Sequence, residues 1–471
     1  MELIDTLNDW LWSYILIGAL LLAAFVFTFW TRGVQIRMLP DMIRLLFASS
    51  KKAEFHEHEE SEHQRHHTVS SFQAFAVSIA GRVGTGNIAG VAIAIAMGGP
   101  GAVFWMWVIA FFGAATAFVE STLGQLFKVR GTDSFRGGPA YYIQKGMHCR
   151  WFAVLFAIII TLTFGLAFCS VQANTVAMAA QDSFGWSPVW VGAVLSALTL
   201  AVVWGGIQRI SKFSEIVVPV MALAYIVLAL IVILLNAGMI PDVLRTIVYS
   251  AFNGDAAIGA TVGSALMLGI KRGLFSNEAG EGSAPNVAAT ASTTHPVKQG
   301  LIQALGVYTD TFLVCTSTAF IILWSGLYDT GSDGIVLTQA ALESEVGPAG
   351  KYFVSVAIFL FAYTSIISNY YYGETNLNFI RRSKAMITIY RLSVGAIVFV
   401  GSVVSLQAVW AAADLFMALM TLINLTALAF LGRYAVRCLS DYRRQLRKGV
   451  DPVYRRSSIP EIASETECWP E

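Results

Sequence analysis

The stretch GRVGTGNIAG, Gly81 to Gly90, interrupts an otherwise apolar run from Val69 to Met97 with glycine and polar groups. A continuous helix needs about 20 apolar residues to cross ~30 Å of hydrocarbon, and neither flank supplies them alone. A span built from this run must therefore break inside the membrane. Unsatisfied backbone groups cost several kcal/mol each in lipid, so a break is tolerated only where protein or a water-filled cavity surrounds it. The sequence thus predicts a ligand cavity at Gly81 to Gly90.

Composition makes the membrane reading firm. Hydrophobic residues make up 56% of the chain and charged residues only 13%, against roughly 25% charged in soluble proteins, and the mean hydropathy is +0.63. A soluble multidomain enzyme is excluded. A second interrupted span follows the same logic: AAIGATVGSALMLGI (Ala256 to Ile270) leads into the polar KRGLFSNEAGEGSAPN (Lys271 to Asn286). Two broken segments at matching places in two halves point to the midplane site of a secondary transporter.

Taken in order, the chain predicts eleven spans. They are Leu11 to Trp30, the first broken span, Ala102 to Phe127, Trp151 to Ala180, Val189 to Trp204 and Ile216 to Leu235. After the second broken span come Gly300 to Gly326, Tyr352 to Tyr372, Met386 to Val403 and Ala408 to Leu431. The expected divisions are 1–67, a leading helix with an amphipathic and His-rich loop; 68–238 and 239–432, two five-helix repeats; and 433–471, a basic cytoplasmic tail read as solvated, with binding of anionic membrane lipid as the alternative. His56, His58, His63, His66 and His67 are read as part of a solvated loop, with metal binding as the alternative. The five cysteines show no CxxC spacing, so free thiols are expected rather than a disulfide framework or zinc site. With the N-terminus outside and loops alternating, only Arg245 and Lys351 of the 31 Lys and Arg face out, while Arg82, Lys271 and Arg272 lie in the breaks. The positive-inside rule then orients the chain with its C-terminus in the cytoplasm.

At a break, a half-helix N-terminus offers free N–H groups that suit an anion, and unwound carbonyls suit a bare cation. Gly84, Thr85 and Gly86 let a ligand approach the backbone, with Arg82 and Asn87 beside them. Ionisable groups inside spans are expensive and pair with one another. Arg82, Glu120, Glu278, Glu281, Asp310, Glu374 and Asp414 are the candidates, and Asp310 is expected to pair with Arg82 or hold a cation. Gln172 is polar in mid-span, as an amide bonding across an interface or as a ligand contact. Gly84 to Ala89 fits a loose GxGxxA dinucleotide pattern, but no strand precedes it and no acidic residue follows at the required distance. No nucleic-acid partner or HExxH or GxSxG enzyme motif is indicated.

GTGNIAGVA, GGPGAVFWMWV, RGGPAYYI, FSNEAGEGSAPN and the TDTF segment, which together span about Ser70 to Leu431, resemble the alanine or glycine:cation symporter family. The resemblance implies an all-α polytopic membrane protein of eleven transmembrane helices, a 5+5 inverted repeat of leucine transporter type with one extra N-terminal helix. It also implies uptake of small neutral amino acids across a bacterial inner membrane, coupled to Na⁺ or, alternatively, to protons; a non-transporting amino-acid receptor is the other alternative. Carried over by motif, the substrate-binding residues are Gly84, Thr85, Gly86, Asn87, Gln172, Phe275, Ser276, Asn277, Ser365 and Asn369. The implied Na⁺ ligands are the Ala80, Val83 and Phe361 carbonyls with the Thr364 and Ser365 hydroxyls. Asn369 stands where many members resemble a pattern with Trp, which opens the pocket to a larger polar substrate such as serine or glutamine. Arg82, at the place of a second sodium in that fold, would pair with Asp310 and leave one Na⁺ per cycle.

Overall fold

The computed structural model describes residues 2–52, 69–131, 134–255 and 259–471. The His-rich loop falls in the interval 53–68, outside the described residues. Apart from a two-stranded hairpin, β1 (Val129–Arg130) with β2 (Phe135–Arg136), the described regular structure is helical.

Among the described residues, eight helices are long and apolar enough to cross a membrane. These are α1 (Leu3–Trp30), α5 (Gly101–Leu126), α7 (Arg150–Phe184), α9 (Gly206–Leu235), α13 (Pro296–Ser325), α15 (Pro348–Ile380), α16 (Lys384–Val403) and α17 (Leu406–Arg447). A ninth span is a bent pair, α3 (Ser71–Arg82) and α4 (Gly86–Gly98), which meet at 48°. Between and beside them lie α2 (Leu39–Lys52), α6 (Pro139–Met147), α8 (Pro188–Val203), α10 (Ile240–Asn253), α11 (Val262–Asn277), α12 (Ala284–Ala288) and α14 (Gly334–Val346). At 16 residues, α8 and α11 are each short for a spanning helix.

Both interrupted spans open on a capping box. Ser70 Oγ accepts from the Gln73 N–H while Gln73 Oε1 takes the Ser70 N–H; Thr261 and Ser264 repeat the exchange at the start of α11. Each box satisfies two of the orphan donors that a helix start leaves open. Helix α5 lies at the centre, packed against α1, α11, α13 and α17, while α15 packs against α3, α7 and α9. The two broken helices therefore sit between these long supports.

Two expectations are corrected. Helix α9 begins at Gly206, ahead of the expected start at Ile216, and takes in the basic segment around Arg209. More consequentially, the last helix does not stop near Leu431: α17 runs to Arg447, because no glycine or proline occurs from Arg433 to Lys448. The chain beyond is not a solvated tail either. Tyr454, Ile459, Ile462 and Trp469 are buried, Trp469 Nε1 donates to the Leu126 carbonyl at 3.1 Å, and Lys128 sits 4.6 Å over the Trp469 ring.

Candidate functional site at the first break

After Arg82 the helical winding fails at Val83, whose ψ of 90° is extended. The Gly84 N–H turns to Asn87 Oδ1 at 2.9 Å, and the Asn87 N–H reaches the Gly84 carbonyl at 3.3 Å. The N–H groups that would have continued the ladder to the Ala80 and Val83 carbonyls are thus directed elsewhere. Those carbonyls take Ser365 instead: its Oγ donates within 2.8 Å of Ala80 O, 3.4 Å of Val83 O and 3.0 Å of Phe361 O. Thr364 Oγ1 lies 2.9 Å from the same Phe361 carbonyl. Five uncharged oxygens from α3 and α15 are gathered here, the donor chemistry that suits a small hard cation.

Next to this cluster is a second one. Gln172 Oε1, from α7, accepts from the Thr85 N–H at 2.9 Å and from Thr85 Oγ1 at 2.7 Å. A Cβ on Gly84 would fall on Ser365 Oγ and the Gln172 amide, and one on Gly86 would come within 2.9 Å of the Phe275 ring and 3.1 Å of Ser276 Cα. Only hydrogen fits at either position, so Gly84, Gly86, Gln172, Phe275, Ser276 and Ser365 share one locus. Phe275 is held between Phe168 and Trp410, at centroid distances of 4.4 and 4.6 Å. Asn369 is 1% exposed, and neither its amide nitrogen nor its oxygen has a hydrogen-bond partner. A buried, unpartnered amide costs roughly 1–3 kcal/mol per group. Asn277 turns away from this locus: its Nδ2 donates to Thr311 Oγ1 at 3.3 Å and its Oδ1 accepts from the Ala279 N–H.

The expected Arg82–Asp310 ion pair is not formed. Asp310, in a π-helical turn Thr309–Cys315 within α13, accepts from Asn87 Nδ2 at 2.6 Å, Ser276 Oγ at 2.7 Å and Thr311 Oγ1 at 3.1 Å. Close neutral donors from both breaks thus saturate the carboxylate. Arg82 Nη1 donates to the Gln303 carbonyl at 2.9 Å, and its charge acts through space on Glu120, Glu278, Glu281 and Asp310. Asp414 pairs with Arg272, at 2.7 and 2.5 Å, and with Lys271 at 3.0 Å.

Two participants, Cys315 and Ser368, escaped the sequence reading, and a third, Glu120, stood there only as one of the candidate ionisable groups. Cys315 lies within 3.3 Å of Asn87 Nδ2 and 3.1 Å of Ser276 Oγ. Ser368 Oγ donates to the Val77 carbonyl at 2.8 Å; it lies one turn beyond Thr364, so helical spacing alone places it on the face that meets α3. Glu120 is fully buried and clasps the second break, accepting from the Gly280 and Gly282 N–H groups, each at 3.1 Å, and from Asn424 Nδ2 at 2.8 Å.

This architecture is matched by known proteins. Residues 1–456 match the model of the sodium:alanine symporter family. The chain belongs to that family. It is a family of transporters, not of enzymes. The chain is 49% identical over 470 residues to the probable sodium/glutamine symporter GlnT of Bacillus subtilis, covering 100% of this chain and 96% of that one. The amino-acid carrier protein AlsT of the same organism is 48% identical, with coverages of 99% and 97%. The sodium/alanine symporter AgcS of Methanococcus maripaludis is 37% identical, with coverages of 93% and 96%. Among solved structures, MhsT in complex with L-phenylalanine superposes with a TM-score of 0.59 at 16% identity, covering 85% of this chain and 100% of that one. That likeness shows that the two chains share a fold.

Proposed function

We infer that this member of the sodium:alanine symporter family drives a small neutral amino acid across the membrane with Na⁺ by alternating access. The observation that carries the reading is the adjacency at the first break of five convergent oxygens around Ser365 and a polar cradle at Thr85. Ala80, Val83, Phe361, Thr364 and Ser365 hold the sodium ion. The Thr85 N–H and hydroxyl already converge on a single oxygen, Gln172 Oε1. A substrate carboxylate replaces that oxygen, while the released Gln172 amide turns toward the substrate. Gly84 and Gly86 admit the ligand, Asn87 braces the loop against Asp310, Phe275 and Ser276 wall it, and Asn277 fixes the second break behind them.

The topology that serves this mechanism is eleven spans in two inverted five-helix repeats, 68–238 and 239–432, behind the leading helix. The N-terminus lies outside and the C-terminus in the cytoplasm of a bacterial inner membrane. The capping boxes at Ser70 and Thr261, each followed by a break, support the pairing of the halves. One Na⁺ entering down 100 mV releases about 2.3 kcal/mol, and a tenfold gradient adds roughly 1.4. Together these sustain a substrate gradient of several hundredfold, to order of magnitude. The reading takes one Na⁺ per cycle, since the family resemblance puts the buried Arg82 at the place of a second ion.

Asn369 governs the choice of substrate. Its two unpartnered polar atoms require hydrogen bonds that an alanine side chain does not supply and a serine hydroxyl or glutamine amide does. In proteoliposomes, accumulation of serine or glutamine alongside alanine should require an inward sodium gradient; uptake indifferent to sodium refutes the mechanism. Asn369→Trp should confine competition to glycine and alanine, with bulkier polar competitors losing roughly tenfold or more. An unaltered competition profile removes Asn369 from the lining.

A further inference from the structure

A cavity of about 550 Å³ opens away from the break, where Arg130 of β1, Lys145 of α6, Arg150 of α7 and Arg382 beyond α15 converge with Glu467 and Cys468 of the terminal segment. Four cationic side chains thus face one carboxylate. That carboxylate is already committed: Glu467 Oε1 lies 2.6 Å from Lys145 Nζ, and the ammonium holds the Glu467 carboxyl below its usual range. Arg150 is fixed in place, its Nη1 donating to Gln144, its Nη2 to the Phe379 carbonyl at 3.3 Å, and its guanidinium 4.5 Å over the Phe379 ring. Arg130 and Arg382 are exposed and form no ion pair among the described residues.

Three guanidinium groups held together without a balancing anion repel one another, and phosphate is the ligand their planar forks match with paired N–H bonds. The depth of the cavity points the same way. Trp151, directly after Arg150, is 70% exposed, and Leu155 and Ile158 on the same helix are exposed after it. An exposed indole heading an apolar helix face marks the boundary between hydrocarbon and headgroups. We propose that this cavity is a phosphate-binding site, taking a phosphodiester headgroup of an anionic lipid or a soluble phosphorylated ligand. An occupant ties the hairpin to the ends of α7 and α15, the helices that carry Gln172 and Ser365, and competes with Glu467 for Lys145.

The test uses the full-length protein in nanodiscs. Wild type in phosphatidylcholine is titrated with ATP, and retention of phosphatidylglycerol from mixed nanodiscs is counted by native mass spectrometry. Wild type should bind at least one of these probes saturably. Arg130→Gln with Arg382→Gln should weaken it at least tenfold, and Glu467→Gln should strengthen it severalfold by freeing Lys145. Binding of ATP alone identifies a soluble ligand, and retention of phosphatidylglycerol alone identifies a headgroup. Absence of both, or affinities unchanged in all the variants, overturns the proposal.

Discussion

Removing the Thr364 and Ser365 hydroxyls together should raise the sodium concentration for half-maximal uptake by roughly a hundredfold. Two of the five oxygens are lost, and an interaction with a charged partner is worth about 1.5–3 kcal/mol each. The pair therefore amounts to roughly 3 kcal/mol, or about two decades in affinity. The change also removes hydroxyls that bridge α15 to the Ala80, Val83 and Phe361 carbonyls, so loosened packing has to be separated from loss of a ligand. Ser368→Ala provides the separation. Its hydroxyl makes the same kind of bridge one turn further along, to Val77, but adds no oxygen to the cluster. Sodium dependence should shift in the double variant and stay within about twofold of wild type in Ser368→Ala, the difference of one remote hydrogen bond. Equal shifts in both would mean that the carbonyl cluster is structural and that the ion binds elsewhere.

The break itself was legible because its cause is local. A glycine-dense polar decapeptide between two apolar flanks has no other stable arrangement in a bilayer, and the extended Val83 with freed carbonyls at Ala80 and Val83 is what that constraint produces. The α15 face was not read from spacing: Phe361, Thr364 and Ser365 came only with the family resemblance, and what the structure adds is the Ser365 hydroxyl bonded to the Ala80 and Phe361 carbonyls. Arg82 and Asp310 were not legible as partners, because charge alone says only that each needs compensation. Asp310 found it in Asn87, Ser276 and Thr311, and that choice depends on how two breaks and α13 meet in space. The terminal segment misled in another way. Its arginines dominate the composition, whereas its fold is decided by four buried apolar and aromatic side chains spaced irregularly between Tyr454 and Trp469. The end of α17 was masked by Gly432, which directly follows Leu431 and reads as a stop, although no glycine or proline occurs from Arg433 to Lys448.

Glu120→Ala should abolish uptake and lower the stability of the protein by at least about 3 kcal/mol, through three buried donors each left short at roughly 1–3 kcal/mol. The second break depends on this side chain: with Glu278 in a left-handed conformation at φ 55°, the Gly280 and Gly282 N–H groups have no helical acceptor and both turn to Glu120. Asn424, which also accepts from the Tyr142 hydroxyl and donates to the Gly280 carbonyl at 2.9 Å, then loses its bond to α5 and keeps only its direct tie to the loop. Glu120→Gln separates hydrogen bonding from general destabilisation. Its single carbonyl oxygen still accepts from one glycine N–H, while its amide nitrogen confronts the remaining donors. Stability should fall in the order wild type, Glu120→Gln, Glu120→Ala in an unfolding titration of the purified protein, with uptake following the same order. Glutamine as stable and as active as glutamate, or alanine no worse than glutamine, would mean that the second break holds its shape without the clasp. The unwound backbone at Glu278 to Gly282 would then have to draw its support from α13 and α17 alone.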